Sequence, residues 1–402
     1  MGCLTAFDTC DWLFRMAKIP LIGLFLASVC FGQPQRFVMD GHVHMINRQF
    51  YLGGDIGDSY RDGQVDLPRI RKGGLSAIFF SLFTQEAYYT NRYEAKQTLR
   101  LLDLALRQIQ KHHDQIEIAY TASDLERIHK AGRIGAFLDL EGGFDLDGDL
   151  GVLRDLYRLG LRSAMLVAHN YTNEFADSCC AAPRWHGINA KGREVIREMN
   201  RLGMVINVAH GSDETIQQTV EASSDPVLYS HGGSRAIVDT GRNITDEAAR
   251  KLAAKGGVVG VQFGNTFNNP KYYEFIQKGR PYGNFSPQPL HFSRPDTIED
   301  VDRRVAKAYP SEPPALAEEY RMQVDQLLVT LQHWIDVVGE DHVSLGSDFD
   351  GGPPLAKGMK DIGDYPQVIA AMQKRGWSEE RIRKVAGLNL LRLIRKVTEK
   401  SR

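Results

Sequence analysis

Apolar and polar positions change rhythm repeatedly along this chain. Short, nearly continuous apolar runs occupy residues 37–39, 77–82, 116–119, 134–138, 163–167, 204–208, 227–230, 257–263 and 343–346. Longer stretches with apolar residues at three- and four-residue spacing lie between them, near 92–112, 151–159, 192–202, 213–222, 246–254 and 315–338. Residues 381–396 read as a closing helix. Strands that are apolar throughout are buried on both faces, as in a parallel sheet covered by helices. Strand-like runs alternating with helices define βαβ units. About eight such units fit an α/β fold of the (β/α)8 TIM-type barrel with inserted loops. A doubly wound open sheet is the second option, but no Gly-x-Gly-x-x-Gly follows a strand. Residues 264–314 break the rhythm: they are rich in Asn, Pro, Tyr and Phe and show little periodicity. They are expected to form an irregular insertion, either a lid, a binding loop or a contact surface, or else a plain surface excursion.

The N-terminus has a different pattern. Residues 19–31 form one apolar run, preceded by Arg15 and Lys18 and followed by Gln33-Pro34-Gln35-Arg36. The run is shorter than the roughly 20 residues needed to span a bilayer. Its layout is that of a secretory signal peptide over residues 1–32. A start at Met16 would give a cleaner positive region, because Asp8 and Asp11 precede it. A lipoprotein site at Cys30 and an uncleaved anchor are the alternatives. The expected product is an exported domain, 33–402, periplasmic or secreted, with no stable membrane span after cleavage. Cys179 and Cys180 remain in it, adjacent in sequence. Neighbouring cysteines bridge only through an eight-membered ring, so two free thiols are expected and a vicinal disulfide is the alternative.

Composition narrows the partner. Of 402 residues, 43% are apolar and 25% charged, ordinary globular usage. The 49 basic and 50 acidic residues give a net charge of -1. Without a global basic field, non-specific nucleic-acid binding is excluded, and a small-molecule substrate is expected.

The candidate chemistry lies where a parallel barrel places its active site, at the C-terminal ends of the strands. His42 and His44 follow the first run, two residues apart and so on one face of an extended chain. Glu141 ends the run that begins at 134, and His169 and Asn170 end the next. His210, His231 and Asp348 end three more. Taken alone, a histidine after a strand is more often a cap or a core residue, and Asp348 beside Gly351 and Gly352 could be a turn residue. Six such placements in succession point to a metal site. Imidazole and carboxylate ligands suit zinc, with manganese, iron or cobalt as alternatives. His42, His44, Glu141, His210, His231 and Asp348 exceed what one four-coordinate ion needs. They suit two Zn2+ ions sharing a carboxylate, which activate water for hydrolysis.

In series, Asp40-Gly41-His42, Leu140-Glu141-Gly142-Gly143, Ala168-His169-Asn170, Asn207-Val208-Ala209-His210, Ser230-His231 and Gly346-Ser347-Asp348-Phe349-Asp350-Gly351 resemble the membrane (renal) dipeptidase family of the amidohydrolase superfamily. The resemblance runs from Asp40 to Arg392. It implies a binuclear zinc dipeptidase in which a metal-bridging hydroxide attacks the amide bond of free dipeptides. It implies that His42 and His44 hold one ion, His210 and His231 the other, and that Glu141 bridges both. By the same resemblance Asp348 sits near the first ion and handles protons, and His169 polarises the scissile carbonyl. The resemblance also implies an arginine, shortly after the second of the later histidines, that binds the substrate carboxylate, and Arg242 matches that spacing better than Arg235. One departure stands out: the family places an aspartate where this chain has His44. His-x-His is commoner in the wider superfamily, and the change raises the site's charge by one. A binuclear amidohydrolase acting on N-acyl amino acids, cyclic amides or lactones is the alternative reading. A homodimer is compatible with a barrel of this kind.

Overall fold

The computed structural model describes residues 36–400, apart from 86–88, 90–92, 143–145, 168, 280–296, 309–318 and 353. The expected signal peptide, with Cys3, Cys10 and Cys30, lies outside the described residues, as do Gly143 and Ala168 of the motifs.

Nine parallel strands form one sheet: β1 Met39–Val43, β2 Ala77–Phe83, β3 Ile116–Ile118, β4 Ile134–Glu141, β5 Ser163–Met165, β6 Val205–Asn207, β7 Leu228–Tyr229, β8 Val258–Val261 and β9 Val343–Leu345. Their order is β1-β2-β4-β5-β6-β7-β8-β9. β3 lies off that path. It pairs with the start of β4, Ile116 opposite Ile134, while β5 pairs with the end of β4, Asp139 opposite Ser163. Nine strand-like runs therefore make eight staves. The ends of the sheet meet beyond β9, where Val43 bridges Phe349. There the His44 amide donates to the Phe349 carbonyl at 2.9 Å, and the Asp348 amide to the His42 carbonyl at 2.9 Å. The result is a nearly closed (β/α)8 barrel.

The longer strands are buried along their whole length in β4 and nearly so in β2, as their continuous apolar pattern requires. Helices wrap the outside and begin at side chains that satisfy their free amides. Thr121 and Asp124 form a reciprocal cap on Ala122–Lys130. Ser212 and Thr245 cap Asp213–Ala222 and Asp246–Ala254. Among the described helices, none is long and apolar enough to cross a membrane.

The structure moves several expected boundaries. The first strand is Met39–Val43 rather than 37–39, so His42 sits within it and His44 just after. The helix expected over 315–338 is described as Val324–Val338. The closing helix is Asn389–Thr398, reached from Glu379–Arg383 through a π-helical turn at Lys384–Leu388. The stretch expected to be irregular holds helices at Asn265–Asn268, Pro270–Gly279 and Ile298–Ala308. Ile298, Val301 and Val305 bury one stripe against Tyr89. Asp302 accepts from the Tyr89 hydroxyl at 2.6 Å and from Arg100 at 2.6 Å. That stripe has helical spacing but only three apolar residues, which is why charged neighbours masked it.

The cysteine expectation is corrected too. Cys179 and Cys180 are joined as a vicinal disulfide, not held as two thiols. Their loop is tied in place: the Cys179 amide donates to the His210 carbonyl at 2.8 Å, and Ser178 Oγ donates to the His169 carbonyl at 2.7 Å.

Candidate metal centre

The strand ends converge. His42, His44, Glu141, His210, His231 and Asp348 are all buried. Glu141 stands between two histidine pairs. Its Oε2 lies 2.9 Å from His44 Nε2 and 3.4 Å from His42 Nε2. Its Oε1 lies 3.2 Å from His210 Nε2 and 3.8 Å from His231 Nε2. The two Nε2 atoms are 3.0 Å apart in the first pair and 3.2 Å apart in the second. Asp348 completes the first cluster, with Oδ1 3.1 Å from His44 Nε2 and 4.0 Å from His42 Nε2. Three overlapping groups therefore have metal-ligand spacing: His42, His44 and Asp348; His42, Glu141 and His231; Glu141, His169 and His210.

The hydrogen bonds behind the rings decide which nitrogen faces the centre. Ser81 Oγ donates to Asp139 Oδ2 at 3.1 Å, which leaves its oxygen to accept from His42 Nδ1 at 2.9 Å. His42 Nε2 then presents a lone pair. Asn170 Oδ1, an acceptor, sits 3.3 Å from His210 Nδ1 and sets that ring the same way. Ser230 Oγ, held by Asn207 at 2.8 Å, lies 2.8 Å from His231 Nδ1. Orientation of ligating imidazoles by such partners is characteristic of metal centres. The donor set therefore fits divalent cations.

Electrostatics divide the two clusters. Burial would lower His42 and His44, but Glu141 holds them up to about 9 and about 10, helped by Asp139 at His42 and by Asp348 at His44. Burial pushes His210 and His231 well below the usual histidine range, helped by Arg242. Burial would raise Glu141, yet the facing His44 and His42 keep it well below the usual carboxylate range. The first cluster thus calls for positive charge, and the second offers neutral imidazole.

The backbone at these strand ends is unusual. His169, His210 and Asp348 have φ of 54°, 64° and 63°, in the left-handed region that few non-glycine residues adopt. Such conformations concentrate where a chain must aim a side chain at a functional site. The turn at Ser230 is packed tightly: a Cβ at Gly260 or Gly346 would lie 1.9 Å or 2.1 Å from the Ser230 carbonyl oxygen. Only glycine lets the neighbouring strands approach the residue before His231 so closely.

His169 is partly exposed, with Nε2 3.9 Å from Glu141 Oε1 and its ring 4.1 Å from that of His210. Phe83, at the end of β2, packs against it at 4.8 Å. Arg242 is 7% exposed. Its Nη1 donates to the Tyr229 hydroxyl at 3.1 Å and the His231 carbonyl at 3.2 Å. Among the described residues, its Nη2 is buried without a hydrogen-bond partner. Arg235 is engaged elsewhere, with Asp213 and the Gly241 carbonyl. All eight residues singled out from sequence therefore gather around one centre. Sequence reasoning missed Ser81, Asp139, Phe83 and Gln262, whose Nε2 donates to Asp348 Oδ2 at 2.5 Å. Ser81 and Asp139 left a readable signal, as polar residues inside otherwise apolar strands.

A nearly closed parallel barrel with clustered imidazoles and carboxylates at its strand ends defines a metal-dependent hydrolase. A family model described as membrane dipeptidase (peptidase family M19) matches residues 33–402. The chain belongs to that family. Dipeptidase tcpJ of Claviceps purpurea (strain 20.1) is 30% identical over 406 residues, covering 96% of this chain and 83% of that protein. Dipeptidase aclJ of Aspergillus oryzae is 30% identical over 370 residues, covering 88% and 76%. Among solved structures, a metallo peptidase from Rhodobacter sphaeroides, liganded with a phosphinate mimic of the dipeptide L-Ala-D-Ala, shares the fold. Its TM-score is 0.70 at 23% identity, over 90% of this chain and 99% of that one.

Proposed function

We propose that this protein is an exported, zinc-dependent dipeptidase with two ions per chain, which hydrolyses the single amide bond of free dipeptides. The observation that carries this reading is the division of Glu141 between two histidine pairs, one carboxylate oxygen to each. The family, the relatives named as dipeptidases and the dipeptide mimic on the Rhodobacter sphaeroides protein all support it.

His42, His44 and Asp348 would hold one ion, His210 and His231 the other, and Glu141 both. When bound, such ions supply a water activated at neutral pH and a positive charge for the developing oxyanion. The chain's own residues do the rest. His169, above Glu141 and partly exposed, donates to the scissile carbonyl oxygen as it gains charge. Arg242 turns a buried, unpartnered Nη2 toward the α-carboxylate, and a guanidinium binds such a group strongly. Asp348, with Oδ1 toward the first cluster, accepts the water proton and delivers it to the leaving amine.

The test is amino-acid release from free L-dipeptides and matched N-acetyl amino acids, with and without chelator, alongside zinc content by mass spectrometry. Chelator-sensitive cleavage of the dipeptides is expected. Cleavage of only the acylated compounds would move the protein to the amidohydrolases that act on N-acyl amino acids, cyclic amides or lactones.

A further inference from the structure

Asp348 does not stand alone. Gln262, one residue past β8, is 2% exposed and fixed at both backbone groups. Its amide donates to the Gly232 carbonyl at 2.9 Å, and its carbonyl accepts from Asn268 Nδ2 at 2.6 Å. Its side-chain Nε2 meets Asp348 Oδ2 at 2.5 Å. With Nε2 given to Asp348, the amide oxygen occupies the other branch. That oxygen, Oε1, is buried and accepts no hydrogen bond among the described residues. Buried acceptors are normally satisfied, and exceptions call for an explanation.

Arg242 Nη2 poses the complementary case. Among the described residues it is a buried donor without an acceptor, on the guanidinium whose Nη1 donates to the His231 carbonyl. Gln262 Oε1 is a buried acceptor without a donor among the described residues, on the amide whose Nε2 meets Asp348. A free dipeptide has an acceptor at one end, its carboxylate, and a donor at the other, its ammonium. An N-acyl amino acid has the first and lacks the second.

Resting on the dipeptidase reading, we infer that Gln262, together with Asp348, binds the substrate's free amino group and so sets the preference for unblocked dipeptides over N-acyl amino acids. Asp348 contributes charge and Gln262 Oε1 the oriented acceptor. A substrate lacking the amine leaves that acceptor buried and unmet, and sites built to hydrogen-bond a group reject analogues without it.

The experiment compares Ala-Ala with N-propionyl-alanine, the same molecule with the amine replaced by hydrogen, on zinc-loaded wild type and Gln262→Met. Wild type should prefer Ala-Ala by roughly a hundredfold or more in kcat/KM. In Gln262→Met that preference should fall about tenfold, through a higher KM for Ala-Ala, with zinc content and Tm unchanged. An unchanged preference, an equal loss on both substrates, or lost zinc would overturn the inference and leave the dipeptidase reading standing. A wild type that favours N-propionyl-alanine would overturn both. If Gln262→Met does not fold, inhibition of wild type by phosphinate dipeptide mimics with and without the amine decides. Roughly tenfold tighter binding of the amine-bearing mimic is expected, and equal binding refutes the inference.

Discussion

Arg242→Lys keeps the charge but removes the planar fork that carries Nη2. In the native protein Nη1 is committed to Tyr229 and the His231 carbonyl, so Nη2 is what remains for a ligand. A hydrogen bond to a charged group contributes about 1.5–3 kcal/mol. Because Nη2 is buried, solvent screening discounts little of this. Taking about 3 kcal/mol for the lost contact predicts roughly a hundredfold loss in kcat/KM. The loss should fall mainly on KM, because the carboxylate does not change charge during reaction. Steady-state kinetics on a dipeptide and on its C-terminal amide provide the assay. For wild type the amide should be poorer by the same roughly hundredfold factor, and Arg242→Lys should bring the two substrates close together. Equal turnover of dipeptide and amide by wild type would refute the assignment of Arg242 to the carboxylate, whatever the mutant does.

Three further outcomes follow from the geometry. On the proposed two-zinc reading, Glu141→Gln should reduce bound zinc to less than half of the wild-type content, measured by mass spectrometry after dialysis, because one carboxylate lies between both histidine pairs. Gly260→Ala should destabilise the fold by about 2–3 kcal/mol or more in urea unfolding, since the new methyl meets the backbone Ser230 carbonyl rather than a movable side chain. Asp55 has its pKa lowered from 3.8 to about 2: burial would raise it, but Lys111, the Gly57 amide and His112 together outweigh that. Its stabilisation is therefore present above pH 3.8 and lost as pH falls through about 2. Asp55→Asn should lower the urea midpoint at pH 6, and the gap from wild type should close by pH 2.

The barrel was legible because its strands are buried on both faces and so read as apolar runs. The runs at 77–82 and 134–138 reappear nearly unchanged as β2 and β4. The metal-ligand candidates were legible for a related reason, since a histidine or acid ending such a run is out of keeping with the core before it. What the pattern could not show is pairing. The run at 116–119 looks like any stave, yet β3 sits beside the start of β4 and leaves the end of β4 to β5. The helix Met45–Leu52 was hidden because it begins directly after His44, where the ligand motif draws the reading. Gln262 was invisible because glutamine at a strand end suggests neither acid, base nor ligand. Its significance comes only from where Asp348 lies, 86 residues along the chain. The bonded state of Cys179 and Cys180 is likewise a property of the folded loop, anchored at the His210 and His169 carbonyls.

The seam of the barrel has a consequence for biosynthesis. β1 carries His42 and leads directly into His44, but its open edge is met only by the segment after β9, through Val43 and Phe349. Asp348, the carboxylate of the first cluster, belongs to that same late segment. A nascent chain still short of residue 349 has neither a closed sheet nor a complete ligand set, even though both histidines emerged at the outset. The first cluster therefore depends on this late segment twice, for its carboxylate and for the closure that covers β1.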